Sequence, residues 1–150
     1  MRKLPPAVLM ASPDDVEAQF YEALQQGDLA RLMAVWGDDD EVVCVHPGGP
    51  RVVGPAAISA AFASIFANGA IPVVPEQVHR LHSAGTAVHH LVERITVQSD
   101  KGLQSAWVLA TNVYLKTAQG WRMVAHHASP AAPMPQTAES PEPPRSSTLH

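Results

Sequence analysis

TAVHHLVERITVQSDKGLQSAWVLATNVYLKTAQGWRMVAHHA, residues 86–128, decides the fold. β-branched and aromatic residues recur through it, and Ser99-Asp100-Lys101-Gly102 and Gln119-Gly120 punctuate it. The pattern predicts strands over about Thr86 to Gln98, Leu103 to Thr117 and Trp121 to Ala128. Connections this short join only antiparallel neighbours, because a parallel pair needs a crossover of a dozen residues or more. One step upstream, Val73 to Ser83 reads as a fourth strand, divided from the next by Ala84-Gly85.

Further towards the N-terminus the period changes to that of helices. Ser12-Pro13-Asp14-Asp15 is a helix start, with a capping hydroxyl, proline at the first helical position and acidic groups at the positive dipole end. Val16, Phe20, Ala23 and Leu24 then share a face, and Gly27 ends the helix. Asp28 caps a second helix carrying Leu29, Leu32, Met33 and Trp36. A short strand over Val42 to His46 turns through Pro47-Gly48-Gly49-Pro50 into Arg51 to Val53. Gly54-Pro55 opens a third helix, with Ile58, Ala61, Phe62, Ile65 and Phe66 at helical spacing before Asn68-Gly69. Helices at one end and a meander at the other predict an α+β domain, its strongly curved, mainly antiparallel sheet wrapping three helices.

The chain of 150 residues has the length of one domain, and its hydrophobic fraction of 46% supports a real core. A net charge of −4 removes the electrostatic basis for nucleic acid or an anionic membrane as partner. Cys44 is the single cysteine. No intrachain disulfide is possible, and in the run Val42 to Val45 it reads as a small buried thiol. Leu4 to Ala11 is apolar, but it holds Pro5 and Pro6 and is too short to span a bilayer, so a cytoplasmic location is expected. Residues 1–12 read as a flexible arm and 13–129 as the domain. From Pro130 to residue 150 the composition turns to Pro, Ala, Ser, Thr and Glu, predicting a disordered tail.

The order helix, helix, short hairpin, helix and four long strands resembles the nuclear transport factor 2-like superfamily, which includes SnoaL-like and ketosteroid isomerase-like proteins. VVCVHPGGPRVVGPAAI from Val42, ATNVY from Ala110 and GWRMVAHHASP from Gly120 carry the likeness. The resemblance implies a cone whose open end admits a small, largely apolar ligand, and a homodimer formed through the outer face of the sheet. It does not fix chemistry, since one fold hosts many activities.

Strand alternation separates inward from outward positions. Ala87, His89, Leu91, Glu93, Ile95 and Val97 form the more apolar set, which points Glu93 inward. A desolvated carboxylate rises in pKa towards the range of general acid–base work. On the last strand Trp121, Met123, Ala125, His127 and Ser129 share a face, so His127 is expected inside as Glu93's partner. Packing alone, with Glu93 paired to an arginine and His127 satisfied by backbone or Asn112, is the plainer alternative. His46 falls at the end of its strand, a candidate for the pocket rim. Trp36 and Trp121 are candidate aromatic walls and Phe62 candidate lining. The motif resemblance suggests Asn112 as a ligand contact, although the rival face of Trp107, Leu109 and Thr111 is bulkier, and which set lines the pocket stays open.

Eight histidines raise the question of a metal. His46, one of His89 and His90, and one of His126 and His127 could converge, but adjacent histidines point to opposite faces and no HxH or HExxH pattern lies within a strand. No metal and no cofactor are therefore expected. The ketosteroid isomerase pattern, an aspartate base beside a tyrosine and a protonated aspartic acid, is also missing from the strands, since Tyr114 ends a strand and Tyr21 sits on a helix. The leading expectation is a small, hydrophobic, carbonyl-bearing metabolite in the cone, with isomerisation, dehydration or hydrolysis by Glu93 and His127. The alternative is a non-catalytic ligand-binding or dimerisation module.

Overall fold

In the computed structural model, residues 10–132 are described. The expected arm before residue 10 and the expected tail beyond residue 132 lie outside the described residues. Helix α1 (Pro13–Gln26) begins where Ser12 Oγ accepts the Asp15 amide at 3.1 Å. It ends at Gly27, whose φ of 65° is cheap only for glycine. Helix α2 (Leu29–Ala34) is capped by Asp28. It stops short of Trp36, whose backbone instead bridges to Met123. A hairpin of β1 (Val43–Val45) and β2 (Arg51–Val53) leads into α3 (Pro55–Phe66). Four long strands follow, β3 (Val73–His82), β4 (Thr86–Ser99), β5 (Gly102–Thr117) and β6 (Gly120–Pro130).

These strands form one curved, unclosed sheet in the order β2-β1-β6-β5-β4-β3. Every pairing is antiparallel except β1 with β6. The sheet wraps the helices, as the meander and the amphipathic helices predict. Phe20 of α1 meets Tyr21 edge-on at 4.9 Å and Phe62 of α3 at 6.3 Å, joining the two helices over the sheet. Ile58, Leu91, Ala110 and Met123 complete this core. Each large side chain so buried contributes about 1.5–3 kcal/mol.

Met10 lies inside the stretch read as a flexible arm, yet it is buried and its carbonyl accepts the Trp121 amide at 3.0 Å. Met10 therefore packs with the domain. Gly120 permits the approach, since a Cβ there would stand 2.8 Å from the Met10 carbonyl oxygen.

Among the described residues, two β-bulges govern which side chains face the helices. In β3 the register shifts between Glu76 and His79, with Gln77 in the left-handed region at φ 53°. In β6 Val113 pairs with Ala125 but Tyr114 pairs with Met123, so Val124 is the extra residue. Each bulge inverts the alternation beyond it.

Candidate functional site

Along β4 the inward set Ala87, His89, Leu91 and Glu93 is buried, Glu93 to 6% exposure. On β5 the inward set is Val108, Ala110, Asn112 and Tyr114, which leaves Trp107, Leu109 and Thr111 outside. β6 departs from simple alternation. Trp121 and Met123 face inward, the bulge at Val124 intervenes, and His126 and Ala128 continue the inner face. His127 is thus exposed on the outer face, and the inward orientation expected from its parity with Trp121 is corrected by this extra residue. The imidazole near Glu93 belongs to His126.

Four buried polar side chains form a directional chain. His126 Nδ1–H donates to Asn112 Oδ1 at 2.5 Å, Asn112 Nδ2 donates to Tyr21 Oη at 3.0 Å, and Tyr21 Oη–H donates to Glu93 Oε2 at 2.7 Å. The amide of Asn112 sets the direction, because its oxygen only accepts and its nitrogen only donates. His126 is therefore the Nδ1–H tautomer, with an Nε2 lone pair 4.0 Å from Glu93 Oε2. Burial pushes the Glu93 carboxyl up to about 7, against the pull of the Tyr21 hydrogen bond. Burial, with His46 and His127 adding to it, lowers His126 to about 3. At neutral pH Glu93 is poised between its two forms while His126 is neutral.

Above this chain lies a cavity of about 150 Å³. Glu93, His126 and His46 interrupt an otherwise apolar wall that includes Leu24, Phe62 and Ile95. A cavity of about 150 Å³ lined by such residues can hold benzene, which sets the scale of the enclosed ligand fragment at one six-membered ring. His46 is half-buried and meets the Phe62 ring edge-on at 4.8 Å, and desolvation lowers its pKa. Cys44 Sγ stands 3.7 Å from His46 Nε2, but burial, aided by the Glu93 charge, pushes the thiol up to about 12 and leaves it unreactive.

His46, Phe62 and Glu93 thus meet at one cavity, whereas the four other candidates do not line it. Asn112 sits behind Tyr21 and His126 as the link of the polar chain. Trp36 and Trp121 are packed into the core. Trp121 stands at the opposite end of β6, roughly 16 Å along an extended strand from His126. His127 shares a larger outer hollow of about 460 Å³ with His90 and Thr111, but among the described residues no buried ionisable group faces it. Tyr21 and His126 are the members that alternation and motif reading missed. Tyr21 had a signal, since Glu17, Tyr21 and Leu24 also recur at helical spacing.

Three helices inside a curved, unclosed sheet, with a pocket closed off by a buried carboxylate, define a cone-shaped α+β protein of the nuclear transport factor 2-like class. More specifically, the chain belongs to the SnoaL-like domain family, whose pattern matches residues 14–133. A solved structure from Thiobacillus denitrificans, named for the calcium/calmodulin-dependent protein kinase type II association domain, is 37% identical. The match covers 82% of this chain and 98% of that one, with a TM-score of 0.75. A Streptomyces avermitilis protein named as a dehydratase of the NTF2-like family is 31% identical over 80% of this chain and 94% of its own, with a TM-score of 0.70. The CaMKII hub of S. rosetta, at 21% identity, shares the fold over 87% of this chain and 99% of its own, with a TM-score of 0.62. A comparison with curated proteins returns no match.

Proposed function

We propose that the pocket receives a small, largely apolar, carbonyl-bearing molecule and that Glu93 moves a proton on it. The observation that carries this reading is a carboxyl with a pKa of about 7, set in an apolar wall and held by a tyrosine hydroxyl. A carboxylate in that range takes a proton from a carbon beside a carbonyl and returns it to a neighbouring carbon, which is isomerisation. Its protonated form serves as the acid for a departing hydroxyl, which is the dehydration that the name of the Streptomyces relative describes. In this reading His126 replaces His127 as Glu93's companion. Its Nε2 lone pair accepts a ligand hydroxyl and orients it.

The test is exchange of α-protons of butanone, cyclohexanone and 2-cyclohexenone in D₂O, followed by proton NMR. Wild type is expected to accelerate exchange of at least one ketone, with a rate that rises with pH through about 7. Glu93→Gln is expected to lose on the order of 100-fold or more, and His127→Ala to keep the wild-type rate. No exchange with any ketone, or equal exchange in Glu93→Gln, overturns the catalytic reading.

A second reading is favoured by the mutual satisfaction of Tyr21, Glu93, Asn112 and His126, each already hydrogen-bonded within the chain. This is a binding module, for which ketones shift pocket resonances without exchange. Self-association through the outer face of β4 to β6 fits either reading. It is supported by the association-domain and hub names of two related structures.

A further inference from the structure

We propose that Asp14, His82 and His89 form a binding site for a divalent cation of the zinc class where α1 meets the β3–β4 hairpin. His89 is fully buried on β4, and its Nδ1–H donates to Glu17 Oε1 at 2.5 Å. That bond leaves the lone pair on Nε2 and fixes the ring. The same carboxylate–histidine arrangement stands behind metal-ligating imidazoles, where it sets tautomer and orientation and raises basicity. His89 Nε2 faces His82 Nε2 at 2.8 Å, with the two rings 13° from parallel. Asp14 Oδ1 lies 3.8 Å from the same nitrogen. One ligand atom from each of the three residues falls within 4.8 Å of the others.

The distances suit an ion. Zinc held tetrahedrally at about 2.0–2.1 Å from nitrogen spaces its ligand atoms by roughly 3.3 Å. The two separations from His89 Nε2, 2.8 Å and 3.8 Å, bracket that spacing. The adjustment falls on His82 and Asp14, which are exposed, while His89 stays fixed, and for Asp14 it competes with the hydrogen bond from Arg80. With His89 as the neutral Nδ1–H tautomer, His82 Nε2–H is the donor between the rings. On metal binding that proton moves to the Nδ1 of His82, so both Nε2 lone pairs become ligands with no net proton released.

The β3 bulge is what assembles the site. Val73 and Pro75 pair with Ile95 and Glu93, but beyond Gln77 the pairs are Arg80 with His89 and His82 with Ala87. Without the extra residue, Arg80 and His82 would stand on the outer face. Two features oppose a cation there. Arg80 Nε donates to Asp14 Oδ1 at 2.8 Å, and the positive end of α1 is adjacent. Glu17 and Asp14 supply two carboxylates against that one guanidinium. The site is separate from the pocket, roughly 13 Å along β4 from Glu93.

The test is titration of the metal-free full chain with Co(II), read by its visible absorption, and with Zn(II), read by calorimetry. Wild type and Glu93→Gln are expected to bind one equivalent with equal affinity. His82→Ala and Asp14→Asn, both at exposed positions and checked for folding by circular dichroism, are expected to weaken binding at least tenfold. No binding by wild type, or undiminished binding by folded His82→Ala, overturns the proposal, the latter assigning the ion to another surface histidine.

Discussion

Tyr21 holds the acid–base chain together, because its hydroxyl donates to Glu93 and accepts from Asn112 in the same buried space. Tyr21→Phe leaves a carboxyl oxygen and an amide N–H without that partner, and each unsatisfied buried group costs about 1–3 kcal/mol. It also removes the hydrogen bond that holds Glu93 down, so the carboxyl moves further above its value of about 7. We expect lower stability in urea unfolding and an upward shift in the midpoint of the rate–pH profile. An unchanged midpoint would show that the hydroxyl does not act on Glu93. At this scale the sequence reads unevenly. Glu93 is legible because no bulge separates it from Ala87 and Leu91 on β4. His126 is not, because adjacent histidines differ only in parity and a single extra residue upstream exchanges them.

The elements themselves follow from local chemistry. Ser12, Asp28 and Gly27 mark helix ends, and the β-turn residues between the long strands leave one antiparallel order. Bulges carry no comparable mark. Val124 lies in a run of ordinary strand residues, and Gln77 lies in a stretch that otherwise reads as strand. Their positions are settled by how the sheet bends around α1 and α3, a tertiary demand that strand propensity does not report. Gln77 nevertheless offers a test, since its φ of 53° is in the left-handed region. Gln77→Val places a β-branched side chain there and is expected to cost about 1–3 kcal/mol, with Gln77→Gly at least as stable as wild type. The measurement is thermal unfolding of both variants. Equal melting temperatures for Val and Gly would mean that the bulge relaxes to another conformation, and with it the placement of His82.

For the whole molecule, Glu93 and His126 set two opposed pH dependences within one core. The Glu93 carboxyl rises from 4.5 in the unfolded chain to about 7 in the folded one, so across that window the folded chain binds more protons and stability falls as pH rises. The span corresponds to about 3 kcal/mol, complete once pH exceeds the folded value. His126 falls from 6.5 to about 3, so there the unfolded chain binds more protons and stability rises with pH. The windows overlap between 4.5 and 6.5, where one proton more on folded Glu93 offsets one proton fewer on folded His126. Glu93→Gln keeps an acceptor for Tyr21 but removes one side of this balance. Its stability relative to wild type is therefore expected to grow as pH rises from 4.5 to 7 and to level off above that. His126→Gln removes the other side, and its stability relative to wild type is expected to decline as pH rises from 3 to 6.5. Urea unfolding at a series of pH values separates the two. Curves for Glu93→Gln and wild type that run parallel throughout would mean that Glu93 titrates as an ordinary exposed carboxyl, and the acid–base role proposed for the pocket would lose its basis.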